Sequence, residues 1–266
     1  LHKYTYLWFI KFSKKSEILT NLFSAMPLYF FALLLAILLF PLLLWQGKKV
    51  RKNVLRLPIA SGETTGFCGE GKILQLMVIG ESTVAGVGAR TQEAALTGQI
   101  AHFLAKKSNA QIQWKAVGKN GITIQEVSLL LIEKQDIRKA DFIVIALGAN
   151  DVFRLRNPVQ WLFYLMQLID KVRDISSNVP ILIAGIPPVG HFTAIPQPLR
   201  FILGLCASSL KNITTKWAEK QVNLEYSSTL FPVAPQYLSK DGIHPSEFAY
   251  QVWGEKLAEE LSQLRS

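Results

Sequence analysis

The chain has 266 residues, 50% of them hydrophobic, and a formal net charge of +10. Its mean hydropathy of +0.24 excludes a disordered chain, and its length fits one domain with an appendage rather than two enzymes. Two cysteines, Cys68 and Cys206, exclude a small disulfide-stapled fold, while an isoelectric point near 9.6 fits nucleic acid, an anionic membrane or a local basic cluster.

Residues 28–45 carry no charge, and at a rise of 1.5 Å per residue about 18 residues reach about 27 Å, close to a bilayer core. This predicts a retained single-pass transmembrane helix, with Tyr29 and Trp45 as interfacial anchors and Pro41 as a kink. A buried core helix is the alternative, disfavoured because only LRLP and a Gly/Thr-rich stretch follow it. Lys3, Lys11, Lys14 and Lys15 precede the span, and Lys48, Lys49, Arg51, Lys52 and Arg56 follow it, so the flanks lean only slightly toward a cytoplasmic carboxyl-terminal domain. The expected organisation is a membrane anchor over 1–56, a linker over 57–71 and a catalytic domain over 72–266. Residues 1–56 hold nine Lys or Arg and one acid, net +8, which leaves +2 for the remainder. The basic charge therefore belongs to the anchor, and a nucleic-acid partner is not expected.

Beyond the linker, short apolar runs at 73–79, 112–117, 142–146 and 180–184 read as buried strands, with a weaker one at 222–226. Helical spacing of apolar residues covers 92–106, 124–132, 158–175, 201–220 and 246–264. Strands alternating with helices predict an α/β fold, a three-layer α/β/α sandwich with a parallel sheet of about five strands. Working residues in such a sheet gather in the loops at the carboxyl ends of the strands.

Four such loops carry chemistry. The first holds Gly80-Glu81-Ser82-Thr83, where a serine is exposed at the sheet edge but is by itself an ordinary turn residue. It lacks the G-K-[ST] of a phosphate loop and the second glycine of a G-x-S-x-G elbow. The second holds Gly118-Lys119-Asn120-Gly121, whose glycines let a backbone N–H face a ligand. The third, Gly148-Ala149-Asn150-Asp151, offers an amide to an oxyanion. The fourth, Asp241-Gly242-Ile243-His244-Pro245, sets a carboxylate three residues before an imidazole. Serine needs a neutral imidazole to take its proton, and the imidazole needs a carboxylate to fix its tautomer.

In this order the residues resemble the SGNH subgroup of the GDSL lipase and acylhydrolase family, marked by a G-D-S loop, a glycine, a G-x-N-D loop and a D-x-x-H pair. The resemblance runs from about residue 73 onward and implies a flavodoxin-like sandwich. It implies Ser82 as nucleophile, His244 as general base and Asp241 as its orienting acid, with an oxyanion hole of the Ser82 N–H, Gly121 and Asn150. Two departures stand out: Glu81 replaces the family Asp, and Ala116 stands where an asparagine often precedes the glycine. The expected activity is carboxylic ester hydrolysis through an acyl-enzyme. An apolar loop at 186–201, Trp161 and the anchor favour acyl esters such as lysophospholipids, or aryl esters; a carbohydrate acetylesterase or a catalytically silent, membrane-tethered binding module are the alternatives. No cofactor is expected, and His2, His102 and His191 lack metal-binding spacing.

Overall fold

The computed structural model describes residues 26–127, 129, 137–229 and 234–264. Helices α1 (Met26–Leu38) and α2 (Phe40–Asn53) meet at 92° about Leu39. Pro41 sits in the first turn of α2; it has no N–H for the carbonyl of Ile37, and its ring would clash with that carbonyl in a continuous helix. The single straight span expected over 28–45 is therefore replaced by two arms. Among the described residues no single helix is long and apolar enough to cross a membrane, although the bent pair passes by length and composition together.

Nor does Tyr29 face a bilayer boundary: it is buried, and its hydroxyl donates to the carbonyl of Leu155 at 2.9 Å. Gln46, also buried, donates from Nε2 to the carbonyl of Gln197 at 2.6 Å, while its Oε1 accepts from the Leu199 N–H at 3.2 Å. The appended arms thus have partners in the folded domain, which local sequence could not reveal.

After α2 come β1 (Thr65–Cys68), β2 (Ile73–Gly80), α3 (Leu96–Ser108), β3 (Gln111–Gly118) and a helical turn, α4 (Ile124–Glu126). Then follow β4 (Phe142–Ala146), α5 (Ala149–Phe153), α6 (Pro158–Ile175), β5 (Ile181–Ile183), α7 (Leu199–Ala218), β6 (Leu224–Tyr226) and α8 (Glu247–Gln263). Most of the expected helix beyond 127 lies outside the described residues. The sheet runs β1-β3-β2-β4-β5-β6. Its last five strands in that order are mutually parallel, as the pattern predicts, and β1 adds an antiparallel edge against β3.

The crossover through α3 runs toward the β1 edge and that through α6 toward the β6 edge. With right-handed connections the two helices cover opposite faces. Helix α8 packs on α3, and α7 on α6, completing three layers. Every residue of β4 is buried, as a central strand covered on both faces requires. Chain order reverses between β2 and β4, and at that switch point the loops following both strands open into a common crevice.

Strand β1 falls within residues read as linker. Its TGFC sequence has no hydrophobic period, and Phe67 is exposed, so backbone pairing and not burial of a face makes it a strand. Gly66 is required there because a Cβ would lie 2.5 Å from the Trp114 ring. Gly66→Ala is expected to lower stability by about 1–3 kcal/mol in denaturant unfolding, through overpacking of a fully buried tryptophan.

Candidate functional site

The loop after β2 turns at once: the Val84 and Ala85 N–H groups both donate to the Glu81 carbonyl, at 3.1 and 3.0 Å, and Val87 N–H donates to the Ser82 carbonyl at 2.9 Å. This turn lifts Ser82 to the sheet end, where its side chain meets His244. The Ser82 Oγ to His244 Nε2 distance is 2.9 Å, and His244 Nδ1 lies 2.5 Å from Asp241 Oδ2. An ionised Asp241 only accepts, so Nδ1 carries the proton and Nε2 accepts from the serine hydroxyl. The other carboxylate oxygen, Oδ1, accepts from the Ile243 and His244 N–H groups, both at 3.0 Å. Burial pushes the Asp241 carboxyl up, but the His244 contacts and these backbone donors outweigh it and hold it below its ordinary value.

Two loops 162 residues apart must be held in register for this geometry. Buried Tyr250 of α8 donates to the Val87 carbonyl at 2.6 Å, and Arg90 grips Glu247 through Nε and Nη2. Ser239 Oγ, 2.8 Å from the Pro245 carbonyl, further braces the loop carrying His244.

On the other side of Ser82, Glu81 is buried and turned toward the loop after β4. Its Oε1 accepts from the Ala149 N–H at 2.9 Å, and its Oε2 from the Asn150 N–H at 3.1 Å and from Asn150 Nδ2. Burial raises its pKa from the ordinary 4.5 to about 7 despite those donors. Asn150 Nδ2 also donates to the Ile122 carbonyl at 3.1 Å, so both amide protons have acceptors. Asp151 accepts from the Ile124 N–H at 2.9 Å and pairs with Arg156, tying the loop after β3 to the loop after β4.

The two glycines of the second loop differ in kind. A Cβ on Gly118 would lie 2.3 Å from the Ala85 nitrogen, which makes it a packing glycine. Gly121 has a φ of +78° and open space on its Cβ side. Among the described residues, the N–H groups of Ser82 and Gly121 are engaged by no other group. Ala116 is a buried strand residue paired with Val78, and its side chain contributes only packing.

Trp161, expected near substrate, is instead core: it is 1% exposed, and its indole N–H donates to Thr214 Oγ1 at 2.8 Å between α6 and α7. Sequence reasoning missed the bonds made by Glu81 and Asp151, although the acidic residues beside Ser82 and Asn150 were their signal. Cys68 and Cys206 are both free thiols. No group of three or more His, Cys, Asp or Glu side chains among the described residues could hold a metal.

The family model described as GDSL-like Lipase/Acylhydrolase matches residues 78–252. The GDSL-like esterase Rv1075c of Mycobacterium tuberculosis is 28% identical over 189 residues, covering 66% of this chain and 58% of that protein. The chain thus spans less than two thirds of that relative's length. Among solved structures, the lipase Lip_vut3 from a goat rumen metagenome is 19% identical with a TM-score of 0.57, covering 70% of this chain and 96% of its own. The Clostridium thermocellum family 3 carbohydrate esterase is 17% identical at a TM-score of 0.55, covering 73% and 98%. The Sinorhizobium meliloti carbohydrate acetylesterase Est24 is 17% identical at 0.51, covering 72% and 99%. At these identities the structures establish the shared fold.

Two outcomes follow from the buried carboxylates. Asp151→Ala leaves Arg156 and the Ile124 N–H without their acceptor and is expected to cost about 3 kcal/mol or more in urea unfolding. A carboxyl whose folded pKa is raised adds stability below its ordinary 4.5 and loses it as pH passes about 7. The unfolding free energy of the native chain is therefore expected to fall relative to that of Glu81→Gln across this interval, and parallel curves would count against the assigned burial of the charge.

Proposed function

The chain belongs to the GDSL-like lipase/acylhydrolase family, and on that premise we propose that it is a serine esterase that cleaves carboxylic esters through an acyl-enzyme on Ser82. The observation that carries the reading is the hydrogen-bonded series Ser82 Oγ, His244 Nε2, His244 Nδ1, Asp241 Oδ2. Ser82 Oγ forms the new bond to the ester carbonyl carbon as its proton passes to His244 Nε2. Asp241 stabilises the resulting imidazolium. The imidazolium returns that proton to the departing alcohol as the ester C–O bond breaks, leaving the acyl group on Ser82. Water, deprotonated by the same imidazole, then adds to the acyl carbon. The acid leaves and Ser82 recovers its proton.

The oxyanion is held by the unengaged N–H groups of Ser82 and Gly121, and by Asn150 Nδ2 once it gives up either Glu81 or the Ile122 carbonyl. A longer acid than the family Asp thus keeps Asn150 beside the nucleophile while competing for its amide.

For the substrate, a cavity of about 350 Å³ lined by Ile186, Val189, Phe201 and Leu205 supports an apolar acyl chain. Its wall residue Ile186 packs against the third loop, where a Cβ on Gly148 would lie 2.8 Å from Ile186 Cδ1. This favours lysophospholipids or aryl esters. Short acetyl esters of sugars are the second reading, supported by the likeness to the two carbohydrate esterases.

A fluorophosphonate probe is expected to label the native protein and not Ser82→Ala; no labelling of folded native protein would leave a binding module as the better description. Asn150→Ala is expected to lower kcat by about 10²–10³-fold with the serine still labelled slowly. A nitrophenyl ester series of increasing chain length separates the substrate readings: a kcat/KM rising beyond butyrate selects the apolar acyl chain, and a maximum at acetate selects the sugar ester.

A further inference from the structure

We propose that α1 and α2 do not cross a bilayer but lie along an anionic membrane surface as a bent, one-sided wedge, with the hydrolase domain docked on their other side. At 1.5 Å per residue the 14 residues of α2 are about 20 Å long, short of a hydrocarbon core of about 30 Å. Both arms are also pinned to the domain, α1 by Tyr29 on the Leu155 carbonyl and α2 by Gln46 on Gln197 and Leu199. A span over 28–45 would set Tyr29 and Gln46 at opposite faces of the bilayer, yet both bond the same folded domain. Spanning and docking are mutually exclusive.

The side facing away from the domain is strongly apolar. Phe30, Phe31, Leu34, Ile37, Leu38 and Phe40 are all exposed around the bend, Ile37 by 72% and Leu38 by 68%. Scattered apolar surface is ordinary, but a contiguous run of this kind marks an interaction face. Its occupant follows from charge. Residues 26–56 carry Lys48, Lys49, Arg51, Lys52 and Arg56 and no acid, directly after the apolar run. Trp45 stands at the junction, exposed, with the Lys49 ammonium 5.0 Å from its ring centroid. An exposed apolar face bordered by an indole and a basic cluster is the composition that suits acyl chains, the interface and anionic headgroups.

The wedge also borders the site. Trp45 and Lys49 of α2 line a cavity of about 480 Å³ with Pro196, Lys240 and Asp241, so the helix on the membrane walls the loop that carries the triad acid. The proposal explains how the esterase reading above meets lipid esters, and rests on that reading only for this consequence.

The test uses the full chain with vesicles of phosphatidylcholine alone and of an equal mixture with phosphatidylglycerol. Binding is expected to be about tenfold tighter on the mixture, and to lose that advantage at high salt or when Lys48, Lys49, Arg51 and Lys52 are all replaced by Gln. In a Cys68→Ser background, Pro27→Cys and Asn53→Cys are each reconstituted and treated with a membrane-impermeant maleimide. Labelling of both from the side of the hydrolase domain supports the wedge; labelling from opposite sides establishes a span and overturns it. Equal or absent binding to both vesicles, with the face covered by the chain's own residues or a second copy, also overturns it. Turnover of a soluble nitrophenyl ester, measured in the same samples, reports the esterase reading separately.

Discussion

The buried carboxyl of Glu81 stands at the point where the chain order of the sheet reverses, and it is balanced by N–H groups from a different strand's loop. A carboxylate so far from water is tolerable only while those donors stay in place. The requirement forces the loops after β2 and β4 into one crevice, with Ser82 next in sequence to the clamp. From there the linkage continues: Asn150 reaches the carbonyl of Ile122, and Asp151 reaches the N–H of Ile124. Three loops from three strands become one rigid unit through two acidic side chains.

The opposite wall is built on different physics. Asp241 and His244 are three residues apart, and the turn between them supplies Asp241 with two backbone donors, so the acid–base pair is a local structure. Its only demand on the rest of the fold is placement against Ser82, met by the contact of α8 with α3 and by the Tyr250 hydroxyl on the loop after Ser82. The crevice thus joins a long-range clamp on one side to a short-range turn on the other.

Much of this could be read from the chain. The bounds of β4 and α6 follow from the sequence: an uninterrupted apolar run defines the strand, and Asn157 followed by Pro158 starts the helix, the Asn157 side chain accepting from the Val159 N–H. The four loops were legible because each concentrates its chemistry within four or five residues. What escaped depends on partners distant in sequence. Trp161 looked available for substrate, since nothing local announces Thr214, 53 residues onward. Strand β1 is held by pairing with β3 and has no burial pattern of its own. A helix packed on a protein and a helix immersed in lipid need the same apolar composition, so Tyr29 could be assigned to either until Leu155 was placed beside it.

The separation of 162 residues between serine and imidazole has a consequence for the newborn chain. A ribosome delivers the serine long before the imidazole, and α8 later still. During all that time the hydroxyl of Ser82 lacks the imidazole it meets in the folded protein. The Ser82–His244 contact can therefore form only when the final helix closes over α3. The order of the sequence thus delays assembly of the crevice until folding is finished.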